Sequence, residues 1–201
     1  MARVFLCALA LATAVALPAH AASISKSYSY FTIGGRTLGD IEQELERRGP
    51  KLSGTGKRHP GATRMEFTTR LGYSERNGRC AIVDTRVTVK ATVILPRWRQ
   101  RGADGDVRFI WDTLAADIKR HEESHVIIAK NHARELEDAL KAVRPGRTCE
   151  ETAARAKQVN DRILAEHDAA QDRFDRIEGR NFESRILRLL EYRLERAAAQ
   201  K

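Results

Sequence analysis

The sequence predicts an α+β fold, in which an N-terminal antiparallel β-hairpin or small sheet packs against a long antiparallel hairpin of helices, with an amphipathic helix at the C-terminus. Within residues 80–95, Val87, Val89, Ala91, Val93 and Leu95 recur at every second position, as in a half-buried strand, and Asn77-Gly78 before this run is a typical hairpin turn. From about residue 107 the apolar side chains recur at three- and four-residue steps, which is typical of one face of a helix. Pro145-Gly146 then ends that helix.

The β-rich half begins with residues 27–33, SYSYFTI, which have the composition of a strand ended by Gly34-Gly35. A short helix with the sequence LGDIEQELERR follows, with Thr37 as its cap and Gly49-Pro50 as its stop signal. After a polar, glycine-rich loop, TRMEFTTRLGYS and the strand at 80–95 form the predicted hairpin.

The second half is predicted to be helical. The first long helix covers about residues 107–143, and its apolar stripe contains Leu114, Ile118, His121, His125, Ile128, His132 and Leu136. Thr148 and Glu151 form a capping-box signature for a second helix. After Gly179 we expect a basic, amphipathic C-terminal helix that packs on its own domain rather than on a membrane.

The N-terminus is typical of a secretory signal. Arg3 precedes the apolar run VFLCALALATAVAL, and AHA at 19–21 provides a cleavage site. We therefore expect a signal peptide over 1–21 and one domain over 22–201, mainly β over 22–100 and mainly α over 106–201. The apolar run is shorter than a membrane-spanning helix. The expected product is periplasmic or secreted, with no transmembrane span after cleavage.

The cysteines support an oxidising destination. Cleavage would remove Cys7 and leave Cys80 and Cys149, which we expect to form a disulfide. Closing a loop of that length would stabilise the fold by roughly 4 kcal/mol in the chain-entropy model.

The charge balance is basic, with 36 Lys and Arg against 27 Asp and Glu. The two signs are interleaved along the helices, as in ELERR and ARELEDALKAVR, which is typical of solvated helix faces. We therefore expect no nucleic-acid partner, and the sequence leaves the oligomeric state open.

The most informative motif is H-E-x-x-H, formed by His121, Glu122 and His125. Residues four apart lie one turn above each other on a helix, so the two imidazoles can bind the same ion. Glu122 can then flank that ion and act as general base for a water that zinc activates. The pattern predicts a Zn²⁺ site and makes the domain over 22–201 zincin-like, and the competing interpretation is a pair of packed core histidines.

A third zinc ligand must come from another element. His132 lies on the same stripe, but about 10 Å further along the axis, too far to share the ion. If the two helices turn near Gly146, His125 faces His167 and His121 faces Gln171. His167 and Asp175 are then within reach of the site.

Several segments resemble one bacterial family. They are YFTIGGRTLGDIEQEL, GATRMEF, Cys80, VILPRW, HEESH, Cys149 and RFDRIEGR. This family is a domain of unknown function described as predicted secreted zinc-dependent proteases. The resemblance implies export, zinc and peptidase activity.

The late motif of that family reads aromatic-Asp-x-x-Thr-x-His-Gly. Phe174 and Asp175 match its first two positions, whereas Glu178 replaces the threonine, Arg180 the histidine and Asn181 the glycine. The third ligand is therefore open among Asp175, His167 and Glu178.

Two functions compete on this sequence. The first is an exported zinc metallohydrolase, expected to be a peptidase that acts on peptide or protein substrates. The second is a non-catalytic envelope protein with a degenerate metal site, which is favoured by Arg180 and by the charged Glu123 within the motif.

Overall fold

The computed structural model describes residues 22–51, 56, 58–99 and 102–200. The expected signal peptide, 1–21, lies outside the described residues. The elements along the described chain are β1 (Ser23–Ile33), α1 (Leu38–Arg48), β2 (Ala62–Arg76), β3 (Arg79–Trp98), α2 (Gly105–Lys141) and α3 (Cys149–Ala198). A small sheet packs against long helices, which confirms the α+β class.

The described strands form one sheet in the order β1-β3-β2. β2 and β3 form the predicted antiparallel hairpin, and its turn has positive φ at Asn77 (52°) and Gly78 (67°), which an Asn-Gly turn accommodates. β1 pairs with β3 in parallel, from Ser23 opposite Thr88 to Ile33 opposite Trp98. β3 is therefore the central strand.

The main core lies between β3, α2 and the first half of α3. Val87, Val89 and Val93 are at most 1% exposed and point to the same face of β3. Val87 and Val89 belong to the same core cluster as Leu136 of α2 and Ile163 of α3. The alternation read from the sequence of β3 thus marks the face that receives the helices.

The turn between α2 and α3 is tied to the start of β3. Cys80 and Cys149 form a disulfide, and the backbone groups of Cys80 and Gly146 donate hydrogen bonds to each other at 3.0 and 3.1 Å. The buried Thr152 hydroxyl donates to the Cys80 carbonyl at 2.8 Å. These contacts determine where α3 starts relative to the sheet.

The C-terminal amphipathic segment continues α3, and the break expected at Gly179 is absent. α3 is a single helix of 50 residues. A glycine inside a helix costs only about 1 kcal/mol relative to alanine, and contacts beyond it hold α3 along α2. Arg185 pairs with Asp117 at 3.0 Å, and Arg193 donates to the Thr113 hydroxyl at 2.6 Å.

Among the described helices, none has a stretch long and apolar enough to cross a membrane.

Candidate metal centre

α2 presents the H-E-x-x-H residues toward α3 and the start of β2. Its buried positions include Ile118, Glu122, His125 and Val126, and those spacings form one stripe of the helix. Ile118 and Val126 pack in the same apolar cluster as Val93 of β3. This packing fixes α2 on both sides of the motif, so its polar side chains have a rigid base.

Three ligand atoms from two helices converge at this point. His125 Nε2 lies 3.0 Å from Asp175 Oδ1 and 3.2 Å from His121 Nε2, and His121 Nε2 lies 3.3 Å from Asp175 Oδ1. Tetrahedral zinc with bonds of about 2.0–2.1 Å separates its ligand atoms by roughly 3.3–3.4 Å. The triangle is close to this size, so these residues fit a zinc ion.

The charge state of Asp175 suits a cation ligand. Partial burial alone would raise the pKa of its carboxyl, but the polar contacts and favourable charge interactions with the His121 and His125 rings hold that pKa far below its usual range. Asp175 therefore carries its negative charge throughout the neutral range.

Glu122 lines the same cleft as the three ligand residues and is held there by the start of β2. Its side chain is buried, and its Oε2 accepts a hydrogen bond from the Thr63 hydroxyl at 2.9 Å. Burial raises the pKa of Glu122, and the Thr63 bond and nearby histidines only partly oppose that rise. A carboxylate with a raised pKa is a better proton acceptor at neutral pH.

The absence of a side chain at Gly61 leaves space for the Glu122 carboxylate. A Cβ at this position would lie 2.9 Å from Glu122 Oε1 and 2.9 Å from Ile118 Cγ2. Both contacts are closer than ordinary van der Waals distance, so only glycine lets the strand approach the helix here without displacing one of these side chains.

A neighbouring aromatic ring and an acid orient His121. Phe174 stacks on the His121 ring with centroids 5.0 Å apart and meets the His125 ring edge-on at 5.1 Å. Glu178 Oε2 lies 3.6 Å from Nδ1 of the same His121 ring. Glu178 is also paired with Arg120 and, at 3.4 Å, with Arg185. It lies beside Nδ1 and not beside the Nε2 atom that belongs to the triangle.

His167 lies about two helical turns before Asp175 on α3, away from the triangle. The register of the helix hairpin differs from the expected one, because His125 faces Gln171 and not His167. The His167 ring packs against His132 at 5.5 Å and Phe67 at 4.9 Å. Of the three candidates for the third position, the structure brings only Asp175 to the two histidine Nε2 atoms.

An open cleft of about 420 Å³ contains the site. It is lined by residues 59–63 and Met65 around the start of β2, by α2, and by α3, which contributes Phe182 and Arg185 among others. Arg185 is engaged with Asp117 through three contacts of 3.0–3.3 Å. The surface of the cleft is mostly apolar, and the charge of Arg185 is paired with that of Asp117.

The family model described as "Bacterial protein of unknown function (DUF922)" matches residues 28–182. The chain belongs to this family. The match includes all of β2, β3 and α2 and most of α3, so every residue of the candidate centre in this DUF922 protein lies inside it. No curated protein and no solved structure gives a significant match.

Sequence reasoning missed the roles of Gly61, Thr63, Phe174 and Gln171 in this DUF922 protein. Gly61 and Thr63 lie about 60 residues before the motif, where no spacing rule connects them with α2. Phe174 precedes Asp175 directly, so that aromatic-Asp pair was the available signal. Gln171 lies one turn before Asp175, and the correct helix register would have revealed it.

Proposed function

We propose that the protein is an exported zinc-dependent hydrolase, most simply a peptidase, with His121, His125 and Asp175 as ligands and Glu122 as general base. The observation that carries this proposal is the triangle of three ligand atoms with sides of 3.0, 3.2 and 3.3 Å. Two nitrogens and one carboxylate oxygen with an open side form the donor set of a catalytic zinc site.

The choice of Asp175 over the other candidates rests on position and charge. Glu178 is paired with Arg120 and Arg185, which neutralise it. His167 donates to or accepts from residues of its own helix, and its ring packs on His132. Asp175 has no arginine or lysine among its ion-pair partners in the described chain, and both of its ion pairs are with the motif histidines.

Zinc bound by three protein ligands would supply a Lewis acid and a water whose pKa is near 7. Glu122 accepts the proton as the water attacks a carbonyl, and it then donates that proton to the departing nitrogen. The Thr63 hydroxyl holds Oε2 of Glu122, which leaves Oε1 to move the proton. Gly61 keeps Oε1 in that place, because any larger residue would press against it.

The cleft supports a substrate of peptide or protein size. It is an open cleft, and Phe182 and Ile118 line it together with the catalytic groups. Apolar side chains flanking the scissile bond would bury surface there. The Cys80–Cys149 disulfide supports an oxidising compartment and hence export.

Metal analysis of the mature protein, from Ala22 onward, tests the proposal. We expect one zinc per chain after purification without chelator, and a loss of that zinc in His121→Ala. Trace zinc that is equal in the wild type and His121→Ala would reject the metal centre and with it the hydrolase.

The competing function is a non-catalytic envelope protein, which Arg180 and the charged Glu123 favour. Glu123 is engaged with Lys26 and Tyr28 of β1, so its charge faces the sheet edge and away from the cleft. Glu122→Gln separates the two functions: a phenotype lost with zinc and fold retained supports catalysis, and an intact phenotype supports the non-catalytic protein.

A further inference from the structure

A chain of polar side chains leads from His125 across α3 to the surface. Gln171 Oε1 contacts His125 Nδ1, and Gln171 Nε2 lies 2.8 Å from His167 Nε2. His167 Nδ1 lies 3.0 Å from Asp168 Oδ1. His167 is buried, whereas Asp168 is largely exposed, with 81% of its side chain accessible. The chain therefore connects the candidate centre to solvent through one glutamine and one histidine.

The direction of each hydrogen bond follows from one backbone group. Gln171 Nε2 lies 3.2 Å from the carbonyl oxygen of His125, and a carbonyl only accepts. This contact identifies the amide nitrogen, because the reversed amide would place two acceptors against each other. The amide oxygen must then face His125 Nδ1, which has to carry a proton and donate it.

The same argument determines which ring nitrogen of His167 carries the proton. The second hydrogen of the Gln171 amide points to His167 Nε2, which must therefore accept. The proton of His167 is then on Nδ1, from which it donates to Asp168. Burial lowers the pKa of His167, which agrees with a neutral ring in this position. Every donor in the chain has an acceptor, and every acceptor has a donor.

We propose that Gln171 is a positioning residue that holds His125 with its proton on Nδ1, and that His167 and Asp168 in turn hold the Gln171 amide. This inference rests on the proposed zinc function. A histidine with its proton on Nδ1 has the lone pair of Nε2 free, and Nε2 is the atom in the triangle. Partners of this kind orient metal-binding histidines, and their loss weakens metal affinity by about 10–100-fold.

The position of Gln171 supports a role beyond packing. Gln171, Asp175 and Glu178 lie at successive turns of α3, on one stripe that faces His121 and His125 of α2. The middle residue contacts both Nε2 atoms, and the outer two contact one Nδ1 atom each. One stripe of α3 thus provides the third candidate ligand, Asp175, and a polar partner for each of the two candidate histidine ligands on α2.

Two variants at Gln171 separate hydrogen bonding from shape. Gln171→Met keeps the length of the side chain and removes the acceptor and both donors, so we expect about 10–100-fold weaker zinc binding. Gln171→Glu keeps an acceptor for His125 Nδ1, and its affinity should lie closer to that of the wild type. Gln158→Met, the same change at an exposed position of α3, is the matched control and should leave the affinity unchanged.

Zinc affinity is measured by competition with a chromogenic chelator, on variants whose unfolding temperature matches that of Gln158→Met. Equal affinities in Gln171→Met and Gln158→Met would overturn the positioning role while the zinc site stands. The positioning role is also overturned if Gln171→Glu binds zinc as weakly as Gln171→Met, because an acceptor at this position would then have no effect.

A second measurement does not depend on zinc. In metal-free wild-type protein, long-range nitrogen–proton NMR correlations of neutral His167 should show its proton on Nδ1, the less common form of free histidine. A proton on Nε2 would contradict the chain, because Gln171 could not donate there. If the wild type binds no zinc, the proposed function fails, and this measurement still decides whether the chain exists.

Discussion

Gly61→Ala tests the position of Glu122 without touching a candidate ligand. The added methyl group would lie 2.9 Å from Glu122 Oε1, 2.9 Å from Ile118 Cγ2 and 3.0 Å from Glu122 Cγ. Ordinary contact begins near 3.4 Å, so about 0.5 Å of movement is needed. The branched Ile118 side chain is packed against β3, and we therefore expect the Glu122 carboxylate to move.

The expected magnitude follows from that movement. Overpacking of this kind costs about 1–3 kcal/mol of folding stability. Because a displacement of about 1 Å in a catalytic group can reduce the rate roughly 100-fold, half that shift should reduce kcat about tenfold. Zinc affinity should stay unchanged, since the three atoms nearest to the new methyl group belong to Glu122 and Ile118 and not to a candidate ligand.

The assay is hydrolysis of a fluorogenic peptide mixture by the zinc-loaded protein, together with chemical denaturation. Gly105→Ala is the matched control, because a Cβ at Gly105 meets nothing within 4 Å. If Gly61→Ala and Gly105→Ala have the same rate and the same stability, the account of Gly61 and of Glu122 as general base is refuted.

Three further predictions concern single features of the fold and site. Glu122→Gln should abolish hydrolysis and make the chelator-treated protein more stable at neutral pH. Because burial raises the folded-state pKa of Glu122, this side chain stabilises the wild-type fold in acid and loses that effect as the pH rises through its folded-state pKa. The stability gained by Glu122→Gln should therefore shrink toward acid pH. A gain that is larger in acid would reverse this reasoning. Replacing Cys80 and Cys149 together by alanine should lower the free energy of unfolding by about 4 kcal/mol, since 69 residues separate them; a loss below about 1 kcal/mol would contradict the constraint. Gly179→Ala should raise the free energy of unfolding by up to about 1 kcal/mol, because α3 is continuous there with open space around the site, whereas destabilisation would indicate a break.

Local patterns in the sequence were sufficient for most elements. The Asn77-Gly78 turn, the alternation in β3 and the capping residues Thr37 and Thr148 identified their elements correctly, because each depends on neighbouring residues alone. The long helix was expected over 107–143 and is found over Gly105–Lys141. The pairing of Cys80 with Cys149 also followed from their number.

The remaining features depend on long-range packing. Helical periodicity defines which face of α3 is buried, but it does not define the axial offset between two helices, so His167 was expected where Gln171 is found. That offset depends on the contacts of Cys80 with Gly146 and Thr152. The continuity of α3 through Gly179 likewise depends on Arg185 and its partner Asp117, 68 residues away.

Site residues that lie close together in the sequence were predictable, and those on distant elements were not. His121, Glu122 and His125 form one motif on one helix, so a spacing rule identifies them. Asp175 could be proposed but not separated from His167 and Glu178, because their distances from the motif differ by only a turn or two of α3. The parallel pairing of β1 with β3 had no signal in the sequence, since strand composition does not specify a partner.

Zinc binding by Asp175→Ala tests the central claim most directly. Wild-type mature protein and Asp172→Ala, which removes an exposed acid one turn away on the same helix, should each bind one zinc per chain. Asp175→Ala should lose the zinc under the same conditions while keeping the helical content of the wild type. Retention of zinc by Asp175→Ala with the affinity of Asp172→Ala would contradict a centre formed by His121, His125 and Asp175.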